Sequence, residues 1–96
     1  MTTYLGEAAT QHASRYLLQL CKHWSHKFAV EFDPAHGRID FDAETHCVLD
    51  ADANGLAIRL EARDPARAEI MTGVVADHLK RFAFREELEV GWRAAG

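Results

Sequence analysis

Hydrophobic residues between Gln11 and Ser25 recur at helical spacing, and this stretch predicts the helix around which the chain is organised. Its other side is polar and basic, so the helix covers a sheet with one face and presents imidazoles to solvent with the other. We expect Thr10 to cap its N terminus through the side-chain oxygen. The shared apolar face consists of Ala13, Tyr16, Leu17, Leu20, Cys21 and Trp24.

Period-two alternation predicts short strands on both sides of this helix. They fall at residues 3–9, 28–32, 38–42 and 88–93. For Phe32 and Ile39 to share the core face, the loop between them must hold six residues or contain a bulge. Gly37 is the natural residue for that bulge.

Residues 45–63 predict a hairpin, because two alternating runs flank Asn54-Gly55. That dipeptide suits a type I′ turn, in which both central residues have positive φ. Folding there pairs apolar residues on the inner face: Cys47 with Ala62, Leu49 with Leu60, and Ala51 with Ile58. On the outer face it pairs His46 with Arg63, Val48 with Glu61, and Asp50 with Arg59.

A second helix is predicted after Asp64-Pro65, with Asp64 as its N-cap and Pro65 at its first position. Gly73 costs this helix about 1 kcal/mol of propensity, which predicts close packing at that position. The predicted inner stripe consists of Met71, Val74, Val75, His78, Leu79 and Phe82.

The element order β-α-β-β-β-β-α-β predicts a single α+β domain over residues 1–96. It has two layers, with both helices on one face of a mainly antiparallel sheet. The chain of 96 residues is long enough for one core without disulfides or metals. Cys21 and Cys47 both fall on inward faces, so we expect reduced thiols in the core.

The net charge of −4 argues against nucleic acid or an anionic membrane as the main partner. The first residues show no basic segment followed by an apolar run, and no apolar run approaches the roughly 20 residues that span a bilayer. We therefore expect a cytoplasmic protein whose partner is a small ligand or another protein.

Two segments, LCKHWSHK at 20–27 and HLKRFAFRE at 78–86, carry a resemblance that covers nearly the whole chain. The sequence resembles the domain-of-unknown-function family 2218, small bacterial proteins without an assigned role. The resemblance implies a compact α+β domain, similar to the helix-on-curved-sheet arrangement of TATA-binding-protein halves. It implies no mechanism.

The spacing Cys21-x-His23-x-x-His26 is that of a transition-metal site when read linearly. On a regular helix, however, Cys21 points roughly 160° from His23 and about 140° from His26, so one ion cannot bind all three. His23 and His26 share a face and could supply two ligands. Solvent-facing histidines, a weak metal or anionic-ligand site, and catalysis are the three interpretations.

Residues 50–55 with Glu61 match the calcium-loop pattern of an EF-hand. We reject it because both flanks alternate like strands. On a strand, Glu61 lies about 20 Å beyond the turn, too far to complete a coordination shell. The turn interpretation is preferred to calcium binding, and a loose calcium contact at Asp50, Asp52 and Asn54 is the alternative.

His78 lies on the inner stripe, where it is predicted to be buried and to donate to a backbone carbonyl or to a neighbouring strand. The alternative is a role in a pocket with Arg85 and Glu86. Phe82 and Phe84 are predicted to anchor the corner after the second helix, and Arg81–Phe84 lacks the glycine of RNA-recognition motifs.

The leading hypothesis is a non-catalytic binding or accessory domain. Its predicted surface joins the end of the first helix, at His23, His26 and Lys27, to the corner at Arg85 and Glu86. The first alternative is a small enzyme that uses His23 or His78 as acid or base. The second is an interaction protein that dimerises through its open sheet face or an edge strand.

Overall fold

Two helices and six strands follow one another in the predicted order, and they form an α+β fold. The computed structural model describes residues 1–95. The elements are β1 (Thr2–Ala9), α1 (Ala13–Trp24), β2 (Ala29–Phe32), β3 (His36–Asp42), β4 (Thr45–Ala51), β5 (Gly55–Ala62), α2 (Pro65–Phe82) and β6 (Gly91–Ala94). All six strands lie in one sheet with the order β2-β3-β4-β5-β1-β6. Every neighbouring pair is antiparallel.

The N-terminal strand β1 lies inside the sheet, between β5 and β6, a position that the sequence pattern does not reveal. It pairs with β5 over its whole length, from Thr2 opposite Ala62 to Ala9 opposite Gly55. β6 pairs with its middle. Because both its edges are hydrogen-bonded, β1 is a central strand, and the chain leaves it directly into α1.

Both helices cover the same face of the sheet and bury the core against it. α1 packs on β2, β3, β4 and β5, and α2 packs on β5 and β1. Leu17, Leu49 and Leu79 are completely buried and come from α1, β4 and α2. The inner faces of the helices and strands therefore form one continuous core, as the periodicity predicts.

The hairpin of β4 and β5 differs from the prediction by two residues. Leu49 lies opposite Ile58 and Cys47 lies opposite Leu60. The turn residues are 53 and 54, and the Asp52 amide donates to the Gly55 carbonyl at 3.0 Å. Since the shift is two residues, the inward side chains are predicted correctly although their partners are wrong.

The Asp52 side chain explains this shift, because Oδ1 accepts from the amides of both Asn54 and Gly55. Such an Asx turn begins at Asp52 and moves the loop one residue earlier than a turn centred on Asn54-Gly55. Gly55 does not have the positive φ that a type I′ turn requires. Glycine is needed at this position because it has no side chain and so lets β1 approach closely. A Cβ at Gly55 would lie 2.7 Å from the Ala8 carbonyl oxygen.

The new register also changes the pairs on the open face of the sheet. Asp50 lies opposite Ala57 and pairs with His36, whose Nδ1 is 2.7 Å from the Asp50 carboxylate. His46 lies opposite Glu61, with 3.8 Å between His46 Nε2 and Glu61 Oε2. Carboxylates therefore still meet basic side chains on this face, but through partners other than the predicted ones.

The connection between β2 and β3 contains neither six residues nor a bulge. Phe32 pairs with Gly37 and Val30 pairs with Ile39, so four residues, 33–36, separate the paired Phe32 and Gly37, and the last of them already belongs to β3. Phe32 and Ile39 still share a face because Gly37 and Ile39 do. The irregularity lies instead between Asp40 and Asp42, in the ladder of β3 with β4.

The predicted N-cap is correct for α2 and wrong for α1. Asp64 caps α2 by accepting from the Ala66 amide, and Pro65 is the first helical residue, as predicted. His12 occupies the cap position of α1 and makes no side-chain cap bond. Thr10 Oγ1 accepts from the His12 amide before the helix begins, so the prediction that it caps α1 is wrong.

The prediction of close packing at Gly73 is also wrong. Gly73 is exposed, and a Cβ built there meets no atom within 4 Å. Its position on α2 faces solvent, between turns whose inner residues contact the core. A helix-interior glycine thus signals close packing only when it falls on the buried face.

Candidate functional site

A cleft of about 480 Å³ opens between the C-terminal part of α1 and α2. We call it the histidine cleft. It brings together four of the six predicted ligand-binding residues, and it is lined by His23, Trp24, His26, Lys27, Phe28, Phe41, Arg67, Met71, Val74 and His78.

The floor of the histidine cleft is aromatic. Trp24 is only 5% exposed, and its ring packs edge-on against Phe41 at a centroid distance of 5.0 Å. Phe28 packs edge-on against both rings. Met71 and Val74 of α2 extend this apolar surface. The floor is built from core residues, so it is held rigidly by the same packing that stabilises the fold.

His78 lies half-buried at the side of this floor, with its ring centroid 4.8 Å from that of Trp24. Its Nδ1 lies 2.7 Å from the Val74 carbonyl oxygen, which confirms the predicted backbone bond. Because a carbonyl only accepts, Nδ1 carries a proton, and Nε2 has a lone pair whenever the ring is neutral. The His23 ring centroid is 5.4 Å from that of His78, so two imidazoles from different helices lie side by side.

Five lining side chains are cationic or can become so, and none is acidic: His23, His26, Lys27, Arg67 and His78. Arg67 Nη2 lies 3.5 Å from Oδ2 of Asp42, which holds the guanidinium at the rim. The rim can therefore attract an anion, while the floor can bury an apolar group.

Metal binding has less support in this geometry. Within residues 1–95, no three His, Cys, Asp or Glu side chains are grouped so that they could hold an ion. Cys21 is completely buried, whereas His23 and His26 are exposed, as the helical angles predict. Burial raises the pKa of the Cys21 thiol to about 11, which keeps it protonated and a poor ligand.

Arg85 and Glu86 lie elsewhere, near the start of α1. Glu86 Oε2 accepts from the Tyr16 hydroxyl at 2.5 Å and from the Thr10 hydroxyl at 3.0 Å. The Tyr16 hydrogen bond lowers the pKa of Glu86, while burial raises the pKa of Tyr16. The predicted surface that joins these residues to His23, His26 and Lys27 is therefore divided between two places.

Arg85 and Glu86 belong to a second cleft of about 420 Å³, which we call the Tyr16 cleft. Phe84 stands at this cleft 79% exposed, so it does not anchor the corner as predicted, whereas Phe82 is half-buried. The cleft is lined by His12, Arg15, Tyr16, Gln19, Phe82, Phe84, Arg85 and Glu86.

Several lining residues were not singled out as site residues by the sequence. Arg67 lies on α2 far along the chain from His23, and only packing brings them together. Tyr16 was placed on the apolar face of α1, which is correct, but its hydroxyl reaches Glu86. A polar atom on an otherwise apolar stripe was the available signal, because a buried hydroxyl requires a partner.

The sequence matches a known protein family over most of its length. A family model described as "Uncharacterized protein conserved in bacteria (DUF2218)" matches residues 6–93. The chain belongs to the DUF2218 family. Both clefts of this DUF2218 protein lie within the matched residues. The family description assigns no activity.

A similar fold has been determined by NMR for another protein. The chain is similar to the protein in the NMR structure of PA4090 from Pseudomonas aeruginosa, with a TM-score of 0.81 and 41% identity. The similarity covers 97% of this chain and 96% of that one. No curated protein matches the sequence. Within residues 1–95, neither helix has the length and apolar character needed to cross a membrane.

Proposed function

We propose that this DUF2218 protein is a non-catalytic binding domain whose histidine cleft takes a small organic anion with an apolar body. The observation that carries the proposal is the composition of the cleft. Basic side chains surround an aromatic floor, and no carboxylate lines it. A volume of about 480 Å³ also falls within the range of small-molecule sites.

Packing and capping leave the polar part of this cleft unexplained. His23, His26 and Lys27 are exposed, so the core does not need them. The negative end of the α1 dipole would repel an anion, and these three side chains counteract it when they carry charge. An anion seated here would contact cations from α1 and from α2, while its apolar part displaces water from Trp24 and Phe41.

The direct test is a titration with 2-naphthoate, followed by amide chemical shifts. We expect shifts at residues 23–28 and 67–78, and weak or no binding of the uncharged analogue 2-naphthamide. The double variant His23→Ala/His26→Ala should keep its fold and lose at least about tenfold in affinity. Lys22→Gln is the matched control, because Lys22 is exposed on α1 outside the cleft.

Two results would contradict the proposal. If the double variant unfolds, the histidines are structural. If it binds 2-naphthoate as tightly as the unchanged protein, the basic rim does not recognise the anion.

A transition-metal ion is a second candidate ligand for the same cleft. The supporting observation is the neighbouring pair His23 and His78, with His78 oriented by its bond to the Val74 carbonyl. Such a second bond is typical of metal-ligating histidines. A thermal scan of metal-stripped protein with Zn²⁺ tests this candidate. At a free Zn²⁺ concentration about a hundred times the dissociation constant, binding would add roughly 2.7 kcal/mol to the free energy of unfolding.

Catalysis by His23 or His78 is the alternative from another class. The free lone pair on His78 Nε2 would suit a general base. The same NMR samples separate the two functions, because an enzyme would convert its ligand over time and a binding domain would return it unchanged.

Self-association remains the third proposal. The sheet has one face without helices and two four-residue edge strands, β2 and β6. Sedimentation that shows only monomer at high concentration would eliminate it.

A further inference from the structure

The Tyr16 cleft contains features that neither the fold nor the histidine cleft requires. We propose that it binds a free α-amino acid with a large apolar side chain, through Arg15 and Arg85 for the carboxylate, Glu86 for the ammonium, and Phe82 and Phe84 for the side chain. The two clefts share no lining residue, so this proposal stands apart from the proposed function.

Two guanidinium groups line this cleft without a carboxylate partner among the residues that the structure describes. Arg15 comes from α1 and Arg85 from the segment after α2. Neither forms an ion pair with any other residue in the range 1–95. A guanidinium presents parallel N–H donors that match the two oxygens of a carboxylate. Arg15 and Arg85 thus offer a site for the acidic end of a ligand.

Glu86 gives the cleft a negative group beside these cations. Its Oε2 accepts from Thr10 and Tyr16, and Oε1 makes no hydrogen bond within the described residues. The lowered pKa of Glu86 keeps the carboxylate ionised at neutral pH. A ligand with a carboxylate alone would leave Glu86 without a cationic partner, whereas the ammonium of an amino acid would be attracted to it. This separation of charges selects a zwitterion.

Phe84 supplies an apolar surface that the core does not use. Because Phe84 is 79% exposed, it forgoes most of the stabilisation that burial of its ring would contribute. The Arg85 guanidinium carbon lies 5.4 Å from the Phe84 ring centroid, which orients both side chains toward one another. Phe82 lines the same cleft. Together the two rings can accept a large apolar side chain.

The segment that carries these groups is held in place before any ligand binds. The Ala83 amide donates to the Leu79 carbonyl at 3.1 Å, and the Glu86 amide donates to the Ala83 carbonyl at 3.2 Å. The hydrogen bonds from the Thr10 and Tyr16 hydroxyls to Glu86 then connect the segment to the β1–α1 connection and to α1. Because the site is already ordered, ligand binding does not include the unfavourable free energy of ordering a loop.

Titration with L-phenylalanine, followed by amide chemical shifts, tests the proposal. We expect shifts at residues 12–19 and 82–86, and no shifts in the histidine cleft. The comparison ligands are 3-phenylpropionate, which lacks the ammonium, and phenethylamine, which lacks the carboxylate. L-Phenylalanine should bind at least about tenfold more tightly than either.

Single variants then assign the contacts. Arg15→Gln and Arg85→Gln should each weaken L-phenylalanine binding about tenfold. Lys22→Gln removes an equal charge from α1 outside the cleft and should leave the affinity unchanged. The amide spectrum of each variant verifies its fold, since both arginines are exposed.

Four outcomes would overturn the proposal. These are no shift with L-phenylalanine at millimolar concentration, shifts confined to the histidine cleft, equal affinity for 3-phenylpropionate, and unchanged affinity in both arginine variants. None of them affects the proposed function, because 2-naphthoate binding at His23 and His26 is measured separately.

Discussion

The Tyr16 hydroxyl donates a hydrogen bond to Glu86 Oε2, joining two residues that lie 70 positions apart in the chain. Thr10 donates to the same oxygen. One carboxylate oxygen therefore connects the residue that follows β1, the first turns of α1 and the segment after α2. This connection holds the corner that carries Phe84 and Arg85, and it defines one wall of the Tyr16 cleft.

Tyr16→Phe should reduce the free energy of unfolding by about 1 kcal/mol, the typical net value of one hydrogen bond. The ring remains in the core, so only the hydroxyl is lost. Tyr4→Phe is the control, because the Tyr4 hydroxyl makes no hydrogen bond within residues 1–95. Urea unfolding at neutral pH measures both. Equal effects in the two variants would show that the bond to Glu86 contributes nothing specific.

Stability should fall as the pH drops through the acidic range. Backbone amides lower the pKa of Asp33 and Asp42, and the Tyr16 hydroxyl lowers that of Glu86. A carboxyl with a lowered folded-state pKa contributes stability above its ordinary value, 3.8 for Asp and 4.5 for Glu, and loses that contribution as the pH falls through the folded-state value.

Unfolding measured across this range in Asp33→Asn and Glu86→Gln tests the assignment. Each variant should show a flatter pH dependence, because the amide keeps an acceptor but does not titrate. An unchanged slope in both variants would assign the acid sensitivity to other groups.

Gly6→Ala should destabilise the protein by about 1–3 kcal/mol, the usual cost of overpacking. Gly6 lies opposite Trp92, and a Cβ at Gly6 would lie 2.8 Å from two carbons of the indole. The double variant Gly6→Ala/Trp92→Ala should therefore lose less free energy of unfolding than the sum of the losses in the two single variants. Gly91→Ala is the control, since its Cβ meets nothing within 4 Å. Additive effects would mean that the indole does not pack on Gly6.

Gly73→Ala should stabilise α2 by up to about 1 kcal/mol, because alanine favours the helix and the position faces open space. Thermal unfolding should show a rise of about 4–8 °C for a change of that size. Gly37→Ala should act in the opposite direction, since its Cβ would lie 2.8 Å from Cys21 Sγ. A destabilised Gly73→Ala would show that α2 is packed there after all.

Both cysteines should resist thiol reagents in the folded protein. With a pKa of about 11, about one Cys21 thiol in a thousand is ionised at pH 8, and burial also raises the pKa of Cys47. We expect no rapid reaction with a chromogenic disulfide in native buffer, and reaction of two thiols in urea. Rapid native reaction would mean that the core opens around α1.

Much of the fold follows from local pattern. The periodicity of α1, the Asp64-Pro65 start of α2 and the alternation of β4 and β5 each predict an element that the structure contains. These signals are local because a helix or strand must present its apolar residues at a fixed spacing wherever its partner lies. Turn positions were less well predicted, since the Asp52 carboxylate decides the turn through contacts that a dipeptide rule omits.

The candidate site was predicted only in part. His23, His26 and Lys27 could be placed together because they lie within five consecutive residues at the C-terminal end of α1. His78 joins them through the packing of α1 against α2, while Glu86 bonds to Tyr16 near the other end of α1. Sequence spacing carries no information about which end of one helix meets a distant segment.

By itself, the sequence determined the element order, the inward faces of the helices and strands, and the two-layer α+β arrangement of a single domain. These features depend on hydrophobic periodicity along the chain. Only the tertiary structure decided the central place of β1, the register of the hairpin and the division of the polar residues between two clefts. Those features depend on hydrogen bonds and packing between residues such as Gly6 and Trp92, which lie far apart in sequence.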